Sequence, residues 1–420
     1  MSEWKKVKLG DYIDVLSGFA YKSKDFSDLG IPVIKIKNVC PPYISLEDLS
    51  YVPNYIAFQN PRYILKKGDV LIAMTGSHIN QIASVVGRVG RVRYDDVTVL
   101  NQRVGKIVNK NEEKSSLDYI YYYLSQYEVK VELAQKAGGA ANQANISPSD
   151  IKNLLFPCPP IEVQHRIATI LSRYDSMIEN YQKQIKLLEE AAQRLYKEWF
   201  VDLHFPGHEN TKIVDGVPEG WEMKKLIEFG CSLESGSRPK GGVDSNLKDG
   251  IPSVGAENVI GLGKYNYSSE KLITNHFYSQ MRKGKIKERD ILIYKDGAYI
   301  GRTSLFQDGF PHKEMAVNEH VFLLHTLNEN YQYYVFFTLY QKQYFEKMQK
   351  LNKNAAQPGL NQKALLDLGM LRPSENYVLA FSKAIEPLMK ALFSKSNQIR
   401  LLTEARDRLL PKLMSGEIAV

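Results

Sequence analysis

At 420 residues, with 44% apolar side chains, the chain is long enough for two or three domains with real cores, which excludes a disordered or a small disulfide-stapled protein. Its three cysteines, Cys40, Cys158 and Cys231, lie far apart with no CxxC pair and no clustered histidine, which argues against a disulfide framework and a zinc site and for a reducing compartment. The net charge of +8 points to a polyanionic partner, although it is spread thinly, 20 basic against 16 acidic residues in 1–160 and 22 against 20 in 206–375.

In chain order, the opening "MSEWKKVKLGDYIDVL" lacks the apolar run of a secretory leader, so a cytoplasmic protein is expected. "IPVIKIKNV" (31–39), "GDVLIAM" (68–74) and "SVVGRVGRVRY" (84–94) alternate or run apolar between Gly, Pro and Asp, which predicts short strands. The uncharged stretch 70–87 carries Thr, Ser, His, Asn and Gln in its middle and reads as strand–loop–strand rather than a membrane span. A helical patch follows at 116–137, rich in Tyr. Aromatics at helical spacing can stack on bases, but they more often fill a core, and the core reading is preferred.

After "PCPP" (157–160), Ile167, Leu171, Tyr174, Ile178, Tyr181, Ile185, Leu188, Ala192, Leu195 and Trp199 recur at alternating steps of four and three. This heptad seam predicts about 50 Å of helix at 1.5 Å per residue.

The remainder repeats the plan. "EWKKVKLGDYIDVLSG" (3–18) is echoed at 220–236, "GIPVIKIKNV" (30–39) at 250–259, "KGDVLIAMTG" (67–76) at 288–297, and "NQANIS" (142–147) loosely at 356–361. The offsets drift only between 214 and 221, which implies one unit used twice. A second helical patch stands at 330–351. A second seam follows a worn Pro-containing start, "RPSENY": Phe381, Ile385, Leu388, Leu392, Lys395, Ile399, Leu402, Arg406, Leu409 and Leu413. Two seams of equal length in one chain predict an intramolecular coiled coil, with a helix of another protein as the alternative partner. Lys395 and Arg406 belong at the seam's edge or opposite an acid on the facing helix.

Catalytic constellations are missing from the sequence. "CPPY" (40–43) and "NPRY" (60–63) echo the loop with which amino-methyltransferases hold a base, but Cys40 and Arg62 replace essential groups, and both read as turns. No phosphate loop, no Pro-Asp start of a nuclease site and no third partner for the adjacent Ser77 and His78 is present. A non-enzyme is expected.

The join "RLYKEWFVDLHFPGHENTKIVDGVPEGWEMKKL" (194–226), the ending "RLLPKLMSGEI" (408–418), "SGSRPKGG" (235–242) and "GDVLIAMTG" closely resemble the specificity subunits of type I restriction–modification systems. The likeness runs over essentially the whole chain; Val163 before Gln164 and the eroded "RPSENY" depart from it. It implies an α+β fold of two mixed α/β target recognition domains, each followed by a long helix, the helices packing as an antiparallel coiled coil. The segments are then 1–160, first recognition domain; 161–205, central helix and linker; 206–375, second recognition domain; and 376–420, C-terminal helix. Each domain would read one half of a split double-stranded DNA target, and the coiled coil would fix the unread gap, near one to two turns of about 34 Å each. It also implies two modification subunits that carry S-adenosylmethionine and methylate adenine, restriction subunits that use ATP and Mg, and no cofactor in this chain.

Base edges are read by polar or Arg side chains on loops, and phosphates by Lys and Arg. The candidates are Lys22, Lys24, Ser77, His78, Asn80, Gln81, Arg88, Arg91 and Arg93 in the first domain, and Arg238, Lys240, Lys295, Tyr299 and Arg302 in the second. Each weighs evenly against a solvated surface role. Three rivals stand beside this reading: a non-DNA scaffold, a single-chain methyltransferase, and a decayed copy from a mobile element.

Overall fold

The computed structural model describes residues 4–77, 86–138, 144–352 and 359–420. The chain forms two compact units, Met1–Ser176 together with Thr403–Val420, and Met177–Leu402. The division in space therefore differs from the four consecutive segments expected from sequence. Each long helix is shared between the units, and the last 18 residues belong with the first domain.

In the first unit, Lys6–Lys8 pairs antiparallel with Leu155–Pro157, so the recognition domain begins and ends on neighbouring strands. Between them lies a six-stranded sheet in the order Ile13–Ser17, Val104–Asn109, Val70–Ala73, Val89–Arg91, Tyr43–Ile44, Val39–Cys40. A four-stranded sheet runs Ser50–Val52, Ile31–Ile34, Thr98–Leu100, Ile64–Leu65. Val70–Ala73 is buried at every position, which explains its unbroken apolar run.

The second unit repeats the plan with fewer strands among the described residues. Glu222–Lys225 pairs with Gly369–Arg372, as the first and last strands of the first domain do. One sheet runs Cys231–Ser235, Val321–Thr326, Ile291–Tyr294, Thr303–Leu305; the other runs Lys271–Ile273, Ile251–Val254, Ala316–Val317. Gly18 and Gly236, each closing its "SG" motif, sit so near the neighbouring strand that a Cβ would run into the carbonyl oxygen of Asn101 or Val317. The buried Asn38 and Asn258 make the same two bonds in each copy. Their Oδ1 accepts from the N–H of Lys35 or Gly255 (3.0 and 2.9 Å), and their amides donate to the carbonyls of Glu47 and Asn266 (both 3.0 Å).

Each helical patch is two helices, Leu117–Leu124 with Tyr127–Lys136, and Asn330–Tyr340 with Lys342–Asn352. The break falls at Gln126 and Gln341, both extended (φ −67°, ψ 142° and 141°). Tyr119–Tyr123 and Tyr333–Phe337 are core residues, no more than 4% exposed, so these aromatics offer no stacking surface.

The long helices span Ile161–Phe200 and Glu375–Ser415. Ile167, Leu171, Tyr174, Ile178, Tyr181, Ile185, Leu188, Ala192, Leu195 and Trp199 are all buried or half-buried, as are their ten counterparts on the second helix. In the first unit Ile167 and Leu171 share a core with Leu413, with Leu409 packed against it. In the second, Ile185, Leu188, Leu195 and Trp199 meet Phe381, Ile385, Leu388, Leu392 and Ile399. Within each unit the early part of one helix lies with the late part of the other, the antiparallel pairing of a coiled coil. Burial extends beyond the seam to Gln164, Ala168, Asp175, Tyr196 and Phe200, because each helix turns a second face to a globular domain. Gln164 anchors the first helix. Its Oε1 accepts from Ser116 N–H (3.0 Å), and its amide donates to the carbonyls of Pro159 (2.9 Å) and Lys114 (3.2 Å). The second helix runs through Pro387 and Pro411, both exposed, where the missing N–H faces solvent and seam burial outweighs the helix-breaking tendency. No described helix is long and apolar enough to cross a membrane.

Candidate nucleic-acid interface

Each domain carries the same hairpin. In the first, Val70–Ala73 pairs with Val89–Arg91, and in the second Ile291–Tyr294 pairs with Thr303–Leu305. The bonds that close it correspond one for one. Gly87 N–H donates to the Ala73 carbonyl (2.8 Å) and Ala73 N–H to that of Arg88 (2.9 Å); Gly301 donates to Tyr294 (2.9 Å) and Tyr294 to Arg302 (2.8 Å). Gly87 and Gly301 both adopt positive φ, 75° and 86°, which is why glycine precedes the arginine in both copies. Arg88 and Arg302 thus occupy one and the same place in the duplicated fold.

The sequence-derived candidates fall into distinct positions. Lys22 and Lys24 are exposed around the turn Ser23–Asp25. Ser77 is half-buried just beyond the strand Thr75–Gly76; His78, Asn80 and Gln81 lie outside the described residues. Arg88 and Arg93 are half-buried, the Arg93 guanidinium 5.6 Å from the Tyr43 ring. Arg91 requires correction. Its side chain is 8% exposed, paired with Asp118 Oδ1 at 2.8 Å and stacked 4.3 Å over Tyr121, so its charge serves the interior rather than DNA. Val89–Arg91 is buried at every position, and the helix Leu117–Leu124, which carries Asp118 and Tyr121, encloses the Arg91 side chain.

In the second domain several candidates converge. The Arg238 guanidinium pairs with Glu319 and lies 3.4 Å from His320 Nε2. His320 Nδ1 is 3.2 Å from Asp296 Oδ2. His320 Nε2 also lies 3.5 Å from Glu319 Oε1, so the imidazole sits between two carboxylates and a guanidinium. Lys295 Nζ donates to the Glu319 carbonyl (3.2 Å) and lies 3.8 Å from Asp296 Oδ2 and 5.2 Å over Phe322. The Arg302 guanidinium stacks 3.9 Å over Tyr299, which is 51% exposed. Lys240 is exposed on the loop that carries Arg238.

Asp296, Glu319 and His320 were not among the candidates. A detectable signal lay in the repeat: "NQRV" (101–104) and "NEHV" (318–321) stand 217 residues apart. Both tetrapeptides form the crossing from one sheet to the other and abut the hairpin. Met74 N–H donates to the Arg103 carbonyl and Lys295 N–H to that of His320, each at 3.0 Å.

"CPPY" is a structural turn. The Pro42 carbonyl accepts from Arg91 N–H and from Tyr121 OH, both at 3.1 Å. Among the described residues no group of three His, Cys, Asp or Glu is placed to hold a metal ion.

Residues 1–190 match the family model of the type I restriction modification DNA specificity domain. The chain is 27% identical over 416 residues to the type I restriction enzyme MjaIX specificity subunit of Methanocaldococcus jannaschii, covering 95% of this chain and 93% of that one. It is 23% identical over 430 residues to the MjaVIII specificity subunit of the same organism, covering 100% and 93%. Among solved structures, the type I restriction–modification S subunit from M. genitalium shares the fold, with a TM-score of 0.59 at 18% identity over 98% of this chain and 96% of that one.

Proposed function

We propose that the chain, whose residues 1–190 match the type I restriction modification DNA specificity domain and which resembles specificity subunits over nearly its whole length, is the DNA-reading subunit of such a complex and reads a bipartite, gapped target. The observation that carries this reading is the duplication. Two domains with the same hairpin, closed by the same hydrogen bonds, present different side chains, as two unlike half-targets require. The paired helices take no base-reading role in this proposal. Their part is to fix the gap between the half-sites and to offer a docking surface to two modification subunits.

The chain supplies the address and no chemistry. Methyl transfer to adenine, with S-adenosylmethionine, belongs to the modification subunits; ATP- and Mg-dependent translocation and cleavage belong to restriction subunits. The complex works in the cytoplasm, where its duplex DNA substrate is found.

Co-expression with the modification subunit, followed by genome-wide mapping of methyladenine, tests the reading. A two-part motif with an unread gap of fixed length is expected. An assembled complex that adds no methylation would sink it.

A further inference from the structure

The DNA-reading assignment leaves open which side chains discriminate between bases. We infer that the inner pair of each Asn-x-x-Val turn, Gln102 and Arg103 in the first domain and Glu319 and His320 in the second, determines specificity.

The outer residues of the turn are structural in both copies. Asn101 N–H donates to the Ile34 carbonyl (3.1 Å) and Asn318 N–H to that of Val254 (3.0 Å), which tethers the turn to the parallel strand. Val104 N–H closes back on the Asn101 carbonyl (2.9 Å) and Val321 N–H on that of Asn318 (3.4 Å), and both valines are fully buried. The bond from Met74 or Lys295 then fixes the turn against the hairpin.

The inner pair is held on this shared backbone; in the first domain it faces outward, and in the second it is half-buried, with Glu319 Oε2 enclosed. Gln102 and Arg103 are exposed, and the side chains of Glu319 and His320 are 34% and 39% exposed. Between the copies the backbone is kept, while an amide and a guanidinium become a carboxylate and an imidazole. These four groups differ in donor and acceptor pattern, the property by which base edges are told apart. Gln suits adenine N6 and N7, Arg suits guanine O6 and N7, and Glu accepts from the cytosine amino group. A merely solvated turn gives no reason for Arg238, Asp296 and His320, from three separate chain segments, to meet there. Such convergence holds side chains in fixed directions, as base readout demands.

The test uses the full chain and a pool of random-sequence duplexes, with bound duplexes sequenced. The wild-type chain is expected to select a two-part motif. Arg103→Lys keeps the charge but loses the fork, and discrimination at one base pair of one half is expected to fall roughly ten- to a hundredfold, the other half unchanged. Gln102→Glu with Arg103→His should change the preferred base in that same half only. Motifs identical to wild type in both variants would overturn the inference. So would a loss of affinity equal for all sequences with a shallower salt dependence, the mark of a group that binds phosphate. If the double variant melts early by circular dichroism, the Arg103→Lys result alone decides. A wild-type chain that selects no motif would instead remove the DNA-reading assignment on which the inference rests.

Discussion

Asp175 is 1% exposed in the middle of a long helix, where a lone carboxylate would be very costly to bury. Two groups account for it. Tyr122 OH donates to Oδ2 (2.6 Å), and Arg406, on the second long helix, donates from its guanidinium to Oδ1 (2.8 Å) while also reaching Asp407. Burial, reinforced by Asp175, pushes the Tyr122 hydroxyl far above its ordinary value, so it stays a donor. Burial opposes the charge on Arg406, but Asp407 and Asp175 more than offset this and hold it protonated. The heptad pattern places Arg406 at the seam's edge or opposite an acid, and it faces an acid; Lys395 instead sits 5.5 Å over the ring of Tyr181. Removing one partner strands a buried charge, so Asp175→Leu or Arg406→Leu alone should cost about 3–5 kcal/mol, whereas the two together should recover much of that. Urea unfolding of the four proteins of the cycle measures this, and strict additivity would show that the pair is not coupled. Arg91 teaches the converse at the same scale. An arginine in a Gly- and Arg-rich stretch looks like a DNA-binding group until Asp118 and Tyr121, distant in sequence, are seen to enclose it.

Among elements, the two copies diverge most informatively in the helix behind the hairpin. In the second domain, Lys342–Asn352 supports the hairpin loop: Gln349 donates to the Ile300 carbonyl, and Met348 packs against Gly301. With Tyr344 and Met348 buried, Lys342, Lys347 and Lys350 spread over the opposite arc, with Glu346 as the one acid between them. The matching helix Tyr127–Lys136 balances Glu128 and Glu132 against Lys130 and Lys136. The second domain therefore has an extra basic face beside its proposed reading hairpin. Replacing all three lysines by alanine should lower the slope of log affinity against log salt by up to roughly 0.9 for each phosphate that a lysine neutralises, with the selected motif unchanged. Titration of duplex DNA at several salt concentrations checks this, and an unaltered slope would assign these lysines to the solvent. Periodicity announced both halves of each helical patch. The breaks at Gln126 and Gln341 went unannounced, because neither Gly nor Pro marks them; tertiary packing of the two short helices imposes the bend.

For the molecule as a whole, the consequential feature is that the chain's last residues complete its first unit. Leu413 and Met414 are buried with Ile167 and Leu171, and Arg406 neutralises Asp175. Ending the chain after Leu402 takes these from the first unit and removes nothing from the second. The first unit's urea transition is expected to move to lower denaturant, or to vanish, while that of the second stays in place. Limited proteolysis should then cut first within residues 4–176. Equal shifts in both transitions, or none, would contradict this division of the core.

The sequence by itself determined whatever depends on local pattern. The duplication followed from ordered similarity, the long helices from a strict heptad, their mutual pairing from two seams of equal length, and the paired strands from short apolar runs between Gly and Pro. It also singled out Arg88 and Arg302, which the fold then placed at equivalent positions. Only the tertiary structure decided which polar groups meet. That Arg91 turns inward, that an Asn-x-x-Val turn abuts each hairpin, that Arg238 reaches Glu319 and His320, and that Arg406 neutralises Asp175 all depend on strand register and chain crossings. Such pairings join residues tens to hundreds of positions apart. A pattern read along the chain carries the period of an element but not the identity of what lies across from it.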